Sequence, residues 1–232
     1  MRKLLLPPPH PPRHPPTIQF DYSINTILFQ RGVYPAEDFT PVKKYGLNML
    51  VSSDDQVKAY LKRITGQLTK WLIAGKVKTL VVVITSKESG EDVERWQFDV
   101  SPQRGTAGEV EVEVEGGEGG RAAVAKSSEN GKQASATTPV TTGSTKKPEA
   151  EIQAEIRSLF RQITASVTFL PMLDGRCSFN VLVYADGDVE VPMEWGDSEP
   201  REINGGEKVA LRSWGTSSHK VETAVSYRVV TD

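Results

Sequence analysis

The sequence has little of what nucleophilic enzymes and metal proteins use: one cysteine and three histidines in 232 residues. A lone cysteine cannot close an internal disulfide, which points to a reducing compartment such as cytosol or nucleus. His10 and His14 stand in a proline-rich start and His219 lies near the other end, none with a cysteine or carboxylate at ligand spacing. No metal site is therefore expected. No apolar run approaches the roughly 18 residues of a membrane span. The formal net charge of -2 gives no electrostatic footprint for nucleic acid. G-x-x-x-x-G-K and G-x-S-x-G are absent, and GGEGG (116–120) neither follows a strand nor opens a helix, so no cofactor is expected either.

What is present suits one domain with a sizeable core. The start, MRKLLLPPPHPPRHPP, has a basic opening but only Leu4 to Leu6 as an apolar stretch, so residues 1–16 read as a polyproline-type disordered tail rather than an export signal. Ile24, Ile27, Leu28 and Arg31 fit a short helix ending at Gly32, and Tyr34-Pro35 starts a loop. The clearest helix covers residues 54–74: Val57, Tyr60, Leu61, Ile64, Leu68, Trp71 and Leu72 recur at three and four, with Ser53 or Asp54 as N-cap and Gly75 as stop. TLVVVITS (79–86) is a β-branched run, read as a central strand covered on both faces. After the turn KESGED, VERWQFDV returns with Trp96, Phe98 and Val100 on one face and Arg95, Gln97 and Asp99 on the other.

Residues 102–147 change to Gly, Ser, Thr, Glu and Lys and read as a disordered insertion. GEVEVEVE within it alternates like a strand, but four glutamates on one face beside GGEGG favour a solvated acidic loop. A further helix starts near Pro148. On its wheel Ile152, Ile156, Leu159, Phe160 and Ile163 share one quadrant, and Arg161 points the other way. CSFNVLVYA then reads as a strand with Phe179, Val181 and Val183 on one face and Asn180, Leu182 and Tyr184 on the other, followed by an Asp186-Gly187 turn. KVETAVSYRVV alternates as a last strand. Residues 192–218 between them have little period of their own. The class is α+β: three helices packed on a mainly antiparallel sheet.

Two functional readings follow from the residues. Cys177 as a nucleophile needs a base, and only His219 is available; a small apolar filler at a strand start is the favoured account. The strand after Cys177 offers instead an edge that can pair with a foreign strand.

The strings ILFQRGVYPAEDF, VKKYGLNMLV, LVVVITSKESGEDVERWQFDV, EIRSLFRQITASVTFLP, CSFNVLVYADGDVEVPMEW and VALRSWGTSSHKV occur in the order and wording of a known family. Across about residues 20–229, insertion aside, the chain resembles the HORMA-domain spindle-assembly-checkpoint proteins of the mitotic-arrest-deficient two family.

That resemblance implies a HORMA domain over residues 17–231, no catalytic activity, and two topologies, open and closed. A mobile C-terminal safety belt, here residues 191–229, lies on one sheet edge when open and crosses to the other when closed, trapping a partner peptide as an added strand. The capturing edge would be Ser178, Phe179, Asn180, Val181, Leu182, Val183 and Tyr184. Arg161 and Gln162 match the pair through which open and closed copies dimerise. Trp71 and Phe169 match aromatic positions repacked between states while remaining core residues. Trp195, Trp214 and Tyr227 would anchor the belt. Implied partners are the coiled-coil checkpoint protein (mitotic-arrest-deficient one), the anaphase-promoting-complex activator (cell division cycle twenty), the kinase-like subunit of the mitotic checkpoint complex, and a second copy. Nucleus, kinetochore and cytoplasm are the implied locations. The family's hexameric remodelling ATPase engages a segment where this chain carries Pro7 to Pro16, so that partner is in question. A HORMA adaptor of DNA repair or meiosis is the second reading.

Overall fold

The computed structural model describes residues 16–103, 147–187, 189–216 and 218–229. The tail at 1–15 and the insertion from 104 to 146, with its GEVEVEVE stretch, lie outside the described residues. The insertion's expected bounds shift slightly inward, because Pro102 is still strand and the Lys147 ammonium sits 2.5 Å from a Glu155 carboxylate oxygen.

Helix α1 (Thr17–Gln30) begins immediately after Pro16, a position where proline is tolerated because no intrahelical donor is lost. It is longer than the short helix expected from sequence. Phe20, Ile24, Ile27 and Leu28 are buried, but so are Gln19, Ser23, Asn25 and Thr26. A helix enclosed on most sides carries no clean amphipathic stripe.

A hairpin, β1 (Phe39–Lys44) and β2 (Leu47–Ser52), follows; its strands were not read from the sequence. Its turn is Tyr45-Gly46 with φ of 53° and 71°, the pair of positive dihedrals that a tight two-residue hairpin requires. The Asn25 side-chain amide oxygen accepts the Ser52 N–H at 2.8 Å and ties the hairpin to α1.

Helix α2 (Asp55–Ile73) is capped by the Asp54 carboxylate, which accepts from the N–H groups of Gln56 at 2.8 Å and Val57 at 2.9 Å. It stops at Gly75, whose φ is 67°. Helix α3 (Glu149–Ala165) buries Ile152, Ile156, Leu159, Phe160 and Ile163, as its wheel indicated.

The main sheet has six strands: β3 (Val77–Ser86), β4 (Asp92–Pro102), β5 (Cys177–Ala185), β6 (Glu207–Ala210), β7 (Trp214–Gly215) and β8 (His219–Tyr227). Their order is β5-β3-β4-β8-β6, with β7 also paired to β8, and every pairing is antiparallel. The helices cover one face, where Leu80, Val82, Ile84, Trp96, Phe98, Val181 and Val225 join the core. Each such side chain contributes about 1.5–3 kcal/mol by leaving water. The other face carries a polar row in which the Thr79 hydroxyl and the Gln97 amide donate to Asp99, each at 2.8 Å.

One ion pair is wholly inside. The Arg31 guanidinium lies 2.8 Å from Glu94 and also donates to the Pro171 carbonyl, while the Trp96 indole N–H donates to the same carboxylate at 2.6 Å. Burial pushes the Glu94 carboxyl above its ordinary range, and Arg31 and Trp96 oppose that shift. The pair joins α1, β4 and the segment after α3.

Candidate functional site

β5 ends the sheet: among the described residues its strand partner is β3 alone. The Val181 N–H donates to the Tyr60 hydroxyl at 3.2 Å, so Val181 is not among the residues exchanging bonds with β3. Antiparallel pairs alternate between residues that bond inward and residues that bond outward. Phe179 and Val183, two positions either side, therefore direct their main-chain groups to the same outer edge. Phe179 is held by Tyr60 and Tyr34, whose rings meet it edge-on at 5.5 and 6.1 Å. Asn180 is exposed, and Ser178, Leu182 and Tyr184 are half-buried.

The chain leaving β5 touches both faces of the sheet on either side of that strand. The Asp186 N–H donates to the Lys76 carbonyl at 2.9 Å. On the helix side, Trp195 packs on Trp71 with ring centroids 5.1 Å apart. On the opposite side, the Tyr184 hydroxyl donates to the Pro200 carbonyl at 3.0 Å, and Arg201 bonds Asp92 at 2.6 and 2.9 Å and the Thr85 hydroxyl at 3.2 Å. The segment then reaches the far edge, where β6 and β7 pair with β8 and β8 pairs with β4. Gly206 fits there because of a close approach: a Cβ would lie 2.5 Å from the Tyr227 carbonyl oxygen.

Of the three expected anchors, Trp214 is fully enclosed against Phe20, with centroids 5.8 Å apart. Tyr227 is buried and its hydroxyl donates to Glu207 at 2.6 Å. Trp195 is half-buried. Trp71 is core, but Phe169 is not: it is 41% exposed, which corrects the expectation that it would be core. The chain leaves α3 through a one-turn 3-10 helix (Ser166–Thr168) and runs along the surface, so the Phe169 ring only leans on Tyr227.

On α3, Arg161 is exposed as expected. Gln162 is not simply a face residue. Its side-chain amide oxygen accepts the Arg212 N–H at 2.7 Å, and the Glu155 carboxylate on the same helix accepts the Gly215 N–H at 2.9 Å. α3 thus grips the segment around β7. Sequence reasoning missed this, and it missed Tyr60 at the β5 edge, whose spacing reads as ordinary core.

Comparison with known proteins agrees with this architecture. The family model for the HORMA domain matches residues 17–219. The mitotic spindle checkpoint component mad2 of Schizosaccharomyces pombe is 49% identical over 210 residues, covering 90% of this chain and 88% of that protein. The chain belongs to this family. Human spindle assembly checkpoint protein MAD2A is 42% identical over 90% of this chain and 87% of its own length. A crystal structure of the mitotic checkpoint complex contains a chain 46% identical, with TM-score 0.71, covering 92% of this chain and 96% of that one. Caenorhabditis elegans HTP-2, solved bound to the HIM-3 closure motif, aligns with TM-score 0.64 over 92% of this chain and 88% of its own at 11% identity, which speaks to the fold alone. Sequence kinship therefore lies with the MAD2 checkpoint branch of the HORMA proteins, and the repair or meiosis reading is not favoured.

The thiol reading fails on geometry. Cys177 pairs with Ser86 at one end of β5, and His219 pairs with Pro102 on the far side of the sheet. Burial pushes the Cys177 thiol up, away from the thiolate a nucleophile needs. No helix among the described residues is long and apolar enough to cross a membrane.

Proposed function

We propose that this MAD2-family chain is a non-catalytic spindle-checkpoint adaptor that captures a partner peptide along β5 and holds it under the segment that follows. One observation carries the reading: β8 sits on the β4 edge while, among the described residues, β5 has a strand on one side only, with Trp195 lying against one sheet face beside it and Pro200 against the other. In the terms of the family, that is the closed arrangement. An added strand gains main-chain hydrogen bonds at Phe179, Val181 and Val183, and side-chain contacts on each face supply selectivity. The belt then makes release depend on its own opening, so affinity resides in a slow off-rate.

The partners this geometry suits present an extended segment: the coiled-coil checkpoint protein (mitotic-arrest-deficient one) and the anaphase-promoting-complex activator (cell division cycle twenty). Assembly with the kinase-like subunit of the mitotic checkpoint complex belongs to the same reading. A captured activator is withheld from the anaphase-promoting complex, and anaphase is delayed. A second, open copy docks on α3 through Arg161 and Gln162, and the work is done at the kinetochore, in nucleus and cytoplasm. Deleting residues 218–232 removes β8 and with it the far-edge mooring of the belt. A pull-down with either partner's peptide segment is expected to lose capture; full retention by the truncated chain would sink the assignment.

A further inference from the structure

Val181 lies midway along the β5 residues whose main-chain groups face outward, between Phe179 and Val183, and its donor is already taken by a side chain from another element. Tyr60 projects from α2, its ring packs edge-on against Phe179 at 5.5 Å, and its hydroxyl receives the Val181 N–H at 3.2 Å. The length lies at the weak end of the usual range for such a bond, as suits a contact that gives way. An incoming strand needs that same donor for one of its own carbonyls. We infer that the Tyr60 hydroxyl is a built-in competitor at the centre of the capture edge, standing where a peptide carbonyl would bind and swinging off Val181 when a strand adds. The inference rests on the capture reading above and adds a residue that governs its affinity.

The arrangement has two consequences. The contact satisfies the central donor of an edge strand, so the resting protein does not leave that group without a protein partner. It also charges every incoming strand the net worth of one hydrogen bond, which raises the threshold that a segment's other contacts along the outer ladder must clear before it stays bound. Tyr60 is therefore an affinity-setting residue that need not touch the bound peptide through its hydroxyl.

Tyr60→Phe keeps the ring on Phe179 and removes only the acceptor. The probe is a synthetic peptide carrying a basic residue, two aliphatics and a downstream proline, titrated into the full chain and into the variant. Tyr60→Phe is expected to bind about 2- to 10-fold tighter, the range of one net hydrogen bond. Amide hydrogen exchange at Val181 is expected to be faster than wild type in the free variant and equal to it in the two complexes. Equal or weaker binding by the variant, with wild type binding normally, overturns the competitor role and leaves capture standing. Absence of binding by wild type overturns capture itself, and this inference with it. A thermal melt of the variant within a few degrees of wild type shows that the comparison is between folded proteins.

Discussion

From Leu80 to Ile84, β3 has no side chain in contact with solvent, whereas across residues 190–202 all but Pro192, Trp195 and Arg201 are exposed. The two stretches are held by different physics. β3 is fixed by a continuous surface: two neighbouring strands, helices on one face, and buried valines on the other. Residues 190–202 are fixed at points, a ring on Trp71, a guanidinium on Asp92 and a carbonyl on Tyr184, before the chain reaches β8 and its full-length pairing with β4. A surface fails all at once, while a set of points can be released one after another without disturbing what lies beneath. Two packings of one sequence need that asymmetry, because their free energies must differ by only a few kcal/mol.

The largest test breaks the surface. Trp96→Ala removes a fully buried indole and the donor to Glu94, and is expected to cost about 3–5 kcal/mol of global stability in urea unfolding. Gly206→Ala strikes the belt where it runs against Tyr227. The expected cost is about 1–3 kcal/mol, read as faster hydrogen exchange in β6 and β8 with β3 unchanged; loss of protection in β3 to the same degree would erase the distinction between the regions. Arg201→Ala removes one point only. Its pair with Asp92 is mostly shielded, with side chains 26% and 17% exposed, so about 1–2 kcal/mol is expected, appearing as quicker release of captured peptide.

A smaller effect is pH-dependent. Burial holds the His219 imidazole below its ordinary value, so charging it is harder in the folded chain than in the unfolded one. Its contribution is complete above about pH 6.5, the unfolded value, and is lost as pH falls from there towards the lowered folded value. Exchange at the start of β8 should therefore quicken on acidification, and His219→Asn should flatten that dependence. Arg161→Ala is expected to leave stability within about 0.5 kcal/mol, as an exposed side chain should, while gel filtration shows the self-associated form lost; unchanged association would count against α3 as the dimerisation face.

The same division decides what could be read from the sequence. β3, β4, α2 and α3 announce themselves because their inward residues repeat at the strand or helix period, and Asp54 and Gly75 mark where α2 starts and stops. The β1–β2 hairpin stayed hidden because Pro41 interrupts it and its turn is made by Tyr45, a side chain seldom found at positive φ. Stacking on Phe160 at 6.2 Å helps hold Tyr45 there, and burial pushes its hydroxyl up to about 12. α1 looked short because it is wrapped rather than amphipathic. Phe169 looked like core because aromatic rings usually are. Trp195, Trp214 and Tyr227 were singled out through family resemblance alone, and the residues they meet could not be read beside them: Trp71 and Phe20 come from distant parts of the chain, and Glu207 from a strand with little period of its own. Tyr60 and Gln162 could not be found by periodicity at all, since each owes its role to one hydrogen bond across the fold.

An edge strand left available for a partner is equally available to a second copy of the same strand, the usual beginning of edge-to-edge aggregation. With Phe179, Val181 and Val183 in a row, β5 has the composition for it. The Tyr60 hydroxyl on Val181, the exposed amide of Asn180 and the belt passing beside the strand each make a flat, bare approach harder. Solubility at high concentration is thus a property of the same few atoms.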